Sequence, residues 1–448
     1  MVTIPKAAEP LVAAFSIAFT RPTFQRVVLL FLGAILSLRR RTVTAMLRVL
    51  GPLAVGHWSD FHRVLCRASW SLWPLGKVLA GMILELIPED QAVVVPVDDT
   101  AVQHKGQRVY GKGRHHDAVR STHSHVVWVW GHKWVVLAIN VKFPFASRPW
   151  ALPVFCALYR PEELNRAEQR RHKTPIRLTM QLMATLMHWF PRRKFILVGD
   201  GGYASHELAR FCWRHRRHIT LVSRFHPDAN LYDAPSSKRS PKGGRPRLKG
   251  RKRAHPSAVV QRSKAKRFTV GWYGGQRRRV ELISGEGHWY KGGGGLVPVR
   301  WVFVRDVQGT HRDEYFYTTD PAMRPEQIAS LYTGRWSIEV TFQEVRTHLG
   351  FTTARNWSKK SVLRTAPCLL GLFSAVSLIF AQHTRDHQVR PGLAPWYAKK
   401  ETTFSDAITE VRRLCWEMVL KQSPKHGGVA KLPARLRRTL LDHLSQAA

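Results

Sequence analysis

The sequence predicts an α/β protein: a mixed-sheet core with an inserted β-rich subdomain, an all-helical N-terminal domain and a helical C-terminal tail. Three observations carry this. Apolar residues recur at helical spacing up to about residue 90. From 91 to 224, short apolar runs alternate with helical segments, as strands and their covering helices do. Between 225 and 319 strand-like runs continue without helices, and a helical stripe returns only after 320.

Composition narrows the function. Lys and Arg number 71 against 30 Asp and Glu in 448 residues, a formal net charge of +41. Such an excess repels itself in a compact chain unless it meets a polyanion. Nucleic acid is the first candidate and an anionic membrane surface the second. Against the membrane, the longest apolar run, Val27 to Leu38, is interrupted by Gly33 and is too short to span a bilayer. Met1-Val2-Thr3-Ile4-Pro5-Lys6 lacks the pattern of a signal peptide. A hydrophobic share of 44% suffices for two or three domains with real cores. Cys66, Cys156, Cys212, Cys368 and Cys415 are scattered and odd in number, with no C-x-x-C pair. That argues against a disulfide framework or thiolate zinc site and points to a reducing cytosol.

Residues 1–90 read as a helical DNA-binding domain. Phe24 to Leu38 and Val43 to Leu50 are amphipathic, separated by Arg39-Arg40-Arg41; His57 to Trp73 and Val78 to Ile87 follow. The arginines suit a DNA-reading module, although helical period alone also fits a structural bundle with a solvated cationic face. Pro88-Glu89-Asp90 ends the helical pattern.

Residues 91–224 form the first part of the core. Ala92 to Val97 reads as a buried strand ending in Asp98-Asp99-Thr100. His125 to Trp130 and Trp134 to Asn140 read as two antiparallel strands joined by a turn at Gly131-His132-Lys133. Thr174 caps a helix from Pro175 to Phe190, and Lys194 to Gly199 is a strand with Asp200 at its end. Ser205 caps the helix His206 to Arg216, and Ile219 to Ser223 is a further strand. Residues 225–319 read as a β-rich insertion bearing a basic loop, Ser236 to Pro256, with almost nothing apolar. Residues 320–385 return to the core, with Pro325 opening a helix and an apolar helix from Ala366 to Phe380. Residues 386–448 form a basic helical tail.

Leu331 to Arg346 reads as one helix. Ile328, Leu331, Ile338, Phe342, Val345 and Leu349 form its apolar stripe. Beside it, Tyr332, Arg335, Glu339 and Arg346 fall within an arc of about 60°. Such spacing also serves a plain surface ion pair. The other acids change its meaning. Asp98 or its neighbour Asp99, Asp200 and Glu339 come from distant parts of a cationic chain, and strand-end acids share the rim where open α/β sheets place chemistry. Two Mg²⁺ ions, with Mn²⁺ as a substitute, would supply their counter-charge and activate water or a 3′-hydroxyl against a phosphodiester. Oxygen ligands suffice for such hard cations.

These motifs resemble the DDE transposases of bacterial insertion sequences, in the group with a Y-x2-R-x3-E-x6-K signature. Tyr332, Arg335 and Glu339 match it, and Arg346 stands where the signature has Lys. Val97-Asp98-Asp99-Thr100 looks like the first acidic motif, with Asp98 as the catalytic acid by that alignment. Val198 to Tyr203 looks like the second motif, and Arg335 to Glu339 like the third. The likeness covers about residues 90 to 380. It implies an RNase H-like core holding two metal ions on Asp98, Asp200 and Glu339. It also implies Mg²⁺-dependent cleavage of double-stranded DNA at inverted repeats, transfer of the freed 3′-hydroxyl into target DNA, and a homodimer on DNA in the bacterial cytoplasm. A catalytically silent DNA-binding regulator and a metal-dependent nuclease without strand transfer are the alternative readings.

Further candidates contact DNA. Arg245-Pro246-Arg247, with Lys249, Arg251, Lys252 and Arg253, resembles a minor-groove hook, although a generic phosphate-binding tether is the favoured reading. Trp336 sits away from the apolar stripe, placed to meet a displaced base. Trp128, Trp130, Trp134 and Trp150 could stack on bases, although strand tryptophans usually belong to cores. His104, His115, His116, His123, His125 and His132 cluster after the first acid; without cysteines they read as DNA-facing or solvated rather than as zinc ligands.

Overall fold

A computed structural model describes residues 4–116, 121, 122, 124–235, 247–389, 399, 401–422 and 432–446. The chain opens with helices α1 (Glu9–Phe15), α2 (Arg21–Leu36), α3 (Val43–Leu50), α4 (Trp58–Cys66) and α5 (Leu72–Leu84). Pro22 sits in the first turn of α2, and the Thr42 hydroxyl caps α3 by accepting from Ala45 N at 3.2 Å.

Helix ends leave carbonyls without partners, and this chain satisfies several of them with buried guanidinium groups. Arg41 donates to Ala34 O (3.3 Å), Leu38 O (3.0 Å) and Arg39 O (2.8 Å) behind α2. Arg412 donates to Ile35 O at 2.9 Å. Arg364 donates to Val64 O, Leu65 O, Ala68 O and Trp70 O at the end of α4. This corrects one expectation. Arg41 does not share a cationic face with the exposed Arg39 and Arg40; it is 3% exposed, and burial beside Arg412 pulls its pKa down to about 9.

Among the described residues the sheet has eleven strands. One half of it consists of β1 (Val93–Gln103), β3 (Trp128–Val141), β4 (Trp150–Tyr159), β5 (Phe195–Gly199) and β6 (Ile219–Arg224), with β4 outermost on β3. The short β2 (Gly113–His116) pairs with the outer end of β3. β1 runs antiparallel to β3 and parallel to β5, and β5 runs parallel to β6. This is the mixed sheet that the sequence predicts for the core. Beyond β6 the sheet continues through β11 (Glu314–Thr318), β10 (Gly295–Asp306), β9 (Arg277–Lys291) and β7 (Leu231–Tyr232), with β8 (Lys266–Gly271) also on β9. The strands between 225 and 319 therefore extend the same sheet. β9 and β10 form a long hairpin around Gly292, Gly293 and Gly294.

Strand alternation divides the core in two. Val93, Val95 and Val97 point into the larger core with α7 (Pro175–Trp189) and α8 (His206–Arg214). Val94, Ile196, Val198 and Val222 point the other way, into a smaller core with α10 (Pro325–Gly334). Short helices α6 (Glu162–Ala167) and α9 (Pro256–Arg262) lie between strands. α11 (Ser337–His348) and α12 (Lys359–Asp386) pack on β4, and α13 (Phe404–Gln422) and α14 (Ala434–Ser445) close the chain. By length and composition α12 could cross a membrane, yet 67% of its most apolar stretch is buried inside the protein.

Three local expectations change. Gly131-His132-Lys133 is no turn: β3 runs straight through it. A Cβ on Gly131 would lie 1.9 Å from Val102 O, so this glycine permits close strand approach. Trp134 to Val141 pairs instead with β4, a strand containing Pro153, and on its other side Trp134 to Leu137 pairs with β1. The basic stretch is not wholly loose: Arg251 O accepts from Asp233 N and Arg253 N donates to Leu231 O, pinning 251–253 along β7.

Arg364 joins the N-terminal helices to α12. Replacing it with Met keeps its stem but strips donors from four carbonyls. Arg364→Met should lower stability by about 2–3 kcal/mol, read as a lower urea midpoint with an unchanged slope.

Candidate active site

β1 and β5 bring two acids together. Their parallel register pairs Val97 with Gly199, so the next residues, Asp98 and Asp200, stand side by side. Both continue the face of Val94, Ile196 and Val198, the face covered by α10. Asp99 falls on the opposite face, where its carboxylate accepts from Lys133 Nζ at 3.0 Å. Of the adjacent acids, Asp98 is the one on the α10 face, where Arg335 meets it. Asp200 shapes its own turn: Oδ1 accepts from Gly202 N (2.9 Å), and its carbonyl accepts from the Ser223 hydroxyl (2.9 Å).

The signature segment is two helices rather than one. α10 ends at Gly334 and α11 starts at Ser337. Across the joint, Arg335 N, Trp336 N, Ile338 N and Glu339 N bond three residues back, so the chain is overwound there. Asn140, at the inner end of β3, fastens the joint. It accepts from the Ser337 hydroxyl (2.8 Å) and donates to Gly334 O (3.4 Å).

Arg335 links this joint to the strands. It donates to Asp98 Oδ2 at 3.1 Å and to Glu339 Oε1 at 2.7 Å. The residue is 8% exposed, and its Nε is buried without a partner. Burial alone would lower its pKa, but Asp98 and Glu339 hold the guanidinium firmly charged. Asp98 responds oppositely. Burial raises its pKa to about 7, with Arg335 opposing and Asp200 adding to the rise. Two neighbouring carboxylates, one of them so raised, are short of positive charge.

This donor set fits hard divalent cations, since carboxylate oxygens are their usual ligands. Arg335 stands between Asp98 and Glu339 as a cationic stand-in. Among the described residues no group of three His, Cys, Asp or Glu side chains is gathered to hold a metal. Shared ligation by Asp98, Asp200 and Glu339 would require that guanidinium to move.

The remaining expected residues divide. Arg346 donates to the Thr100 hydroxyl, two residues beyond Asp98 on the same strand. Trp336 is 43% exposed, edge-on to Tyr273. Tyr332 does not reach a DNA-facing surface: it is 5% exposed and stacks on Phe316 at 3.9 Å, because its position points into the smaller core. Arg247, Arg251 and Lys252 are exposed. Lys249 instead lies over the rings of Tyr232 (4.4 Å) and Tyr290 (4.5 Å), and Arg253 pairs with Asp233 at 2.6 Å. Arg245 lies outside the described residues, as does His123. Of the histidines, burial lowers the pKa of His104 and His115 to about 4, and His132 Nε2 meets Tyr110 O at 2.8 Å. Lys133, Asn140 and Thr100 were missed as site residues. An Asn closing an otherwise apolar strand was the signal available for Asn140.

Among curated proteins no relative is found. A solved structure of similar shape, the piggyBac transposase synaptic complex with hairpin DNA, covers 98% of this chain and 81% of its own. The identity is 11% and the TM-score 0.40, a remote likeness. Residues 14–279 match the family described as DDE superfamily endonuclease, a stretch that includes Asp98 and Asp200 and ends before Glu339. With more than half of its length matched, the chain belongs to the DDE superfamily endonucleases.

Proposed function

We propose that this protein is a DNA transposase that binds inverted repeats at transposon ends, cuts them with Mg²⁺, and joins the 3′-hydroxyl ends to target DNA. The observation that carries the reading is the juxtaposition of Asp98 with Asp200 on neighbouring parallel strands, and of Asp98 with Glu339 through Arg335. Membership of the endonuclease family supports phosphodiester cleavage. The net charge of +41 supports a nucleic-acid partner.

Asp98, Asp200 and Glu339 would hold the metal. Bound divalent ions supply charge neutralisation and a water acidic enough to attack a phosphodiester. Arg335 holds Asp98 and Glu339 in register, and its guanidinium would pair with a scissile phosphate. Arg346, held beside the acid strand by Thr100, would bind the backbone of the transposon end. Two ends must be brought together, which favours a dimer on DNA.

The decisive experiment incubates purified protein with Mg²⁺, target DNA and DNA carrying the inverted repeats that flank the gene. Joined products are expected. Cuts without joining would reduce the reading to a nuclease, and a gel shift alone to a silent binder. Asp98→Ala, Asp200→Ala and Glu339→Ala should each lower cleavage about a thousandfold or more, with DNA binding nearly intact, since several kcal/mol of transition-state stabilisation are removed. Asp99→Ala should retain activity; its inactivity alongside an active Asp98→Ala would exchange their roles.

On pre-cut ends, Arg346→Lys should join at near the parent rate, because a single phosphate needs only the charge. Arg346→Glu should abolish joining by setting a like charge against the backbone. Equal rates would remove this residue from the DNA path. Replacing the exposed Arg247, Arg251 and Lys252 together with Ala should weaken binding to all sequences. The salt slope should fall by about one for each phosphate that is no longer neutralised. Weakening confined to A·T-rich DNA would assign the segment to the minor groove.

A further inference from the structure

The outer end of β3 reverses the usual pattern of a strand. Trp130 is 56% exposed and Trp128 46%, whereas His115, which faces inward on the neighbouring strand β2, is 4% exposed. Strand tryptophans usually belong to cores. Trp134 and Trp150 do, at 1% and 7% exposed, but this pair does not. A tryptophan buries about 150–250 Å² when packed, so leaving two adjacent ones in water is costly unless something covers them.

Cations surround both rings. The β2–β3 register sets Arg114 against Trp130 and His116 against Trp128. The Arg114 guanidinium lies 4.5 Å from the Trp128 ring centre, and Lys112 Nζ lies 5.8 Å from that of Trp130. His116 meets Trp128 edge-on at 5.8 Å. Neither β2 nor the stretch from Trp128 to Lys133 carries an acid. Flat aromatic faces framed by cations suit an anionic, ring-bearing ligand.

The pair also has a fixed relation to the acids. β1 pairs Asp98 with Val136, Thr100 with Trp134 and Val102 with His132. Further steps of two along β3 reach Trp130 and Trp128, so they lie on the Asp98 face of the sheet. Trp130 O accepts from His104 N, six residues beyond Asp98, which is about 20 Å along the strand.

We propose that Trp128 and Trp130 form a stacking platform for unpaired DNA bases, holding a strand that has left the duplex on the same face as Asp98, about 20 Å along the sheet from it. The inference rests on the reading of the protein as a DNA-cutting enzyme and adds a single-strand site to it. Arg114 and Lys112 would hold the phosphates of that strand.

The test uses the full chain and two fluorescently labelled probes: a blunt transposon-end duplex, and the same duplex with an unpaired 3′ tail. Changing both tryptophans to Ala should weaken binding of the tailed probe about 10- to 100-fold while leaving the blunt probe unchanged. Trp128→Phe with Trp130→Phe should keep most of the tail preference, because a phenyl ring still stacks. Retained blunt-duplex binding reports that each variant is folded. Should the alanine pair fail to fold, photocrosslinking of wild-type protein to a tail carrying 5-bromouracil decides the matter; the crosslink is expected within β2 or the outer half of β3. Undiminished tail binding, an equal weakening for both probes, or crosslinks confined to other elements would overturn the proposal. Abolished self-association with tail binding intact would assign the face to a second copy of the chain. Wild-type protein that cuts transposon ends while the alanine variant still binds tails removes this inference alone. Wild-type protein that neither binds nor cuts DNA removes the parent reading with it.

Discussion

The buried contact of Arg335 with Asp98 and Glu339 ties together parts of the chain that are remote in sequence. Its members belong to a strand near residue 98 and a helical joint after residue 334. Taking charges out of water is expensive unless they meet opposite charges with good geometry. Removing Arg335 would leave Asp98, whose side chain is only 17% exposed, beside Asp200 with its counter-charge gone. The geometry of the acid rim therefore depends on α11 being correctly placed on β1. The Ser337–Asn140 bond and the bond from the Thr341 hydroxyl to Ala151 O (2.7 Å) secure that placement.

The large positive charge has two uses in this fold. Part of it is structural. Arg41, Arg364 and Arg412 are all under 9% exposed and aim their guanidinium groups at backbone carbonyls of the N-terminal helices. Arg364 and Arg412 weld those helices to α12 and α13, while Arg41 ties the end of α2 to the turn that follows it, through the strongest donors a side chain can offer. The rest stays on the surface, at Arg39, Arg40, Arg247, Arg251 and Lys252 among others. A count of basic residues overstates the charge free to meet a polyanion, since a capping arginine already has its hydrogen bonds engaged.

The same distinction explains where sequence reading fell short. Helical spacing puts Tyr332 on one stripe with Arg335, Glu339 and Arg346, but Tyr332 turns under Phe316, because β11 supplies a ring for it to stack on. Gly131 sits in a run that reads as a turn, and only the carbonyl of Val102 on a neighbouring strand shows why glycine is needed. β4 escaped notice because Pro153 interrupts a run whose partner lies in β3. In each case the deciding atom belongs to another element.

Local chemistry, then, settled much of this protein before folding is considered. Period-2 and period-3.6 patterns marked the helical start, the strands ending in acids and the strand-rich stretch before the signature helices, since each depends on near neighbours along the chain. The excess of Lys and Arg and the three acids are likewise properties of composition and order. Tertiary structure alone decided which of Asp98 and Asp99 lies on the α10 face beside Arg335, which arginines cap and which stay exposed, and which tryptophans remain in water. Those outcomes depend on strand register and on packing partners far away in sequence. A one-residue slip of β1 against β5 would exchange the faces of Asp98 and Asp99.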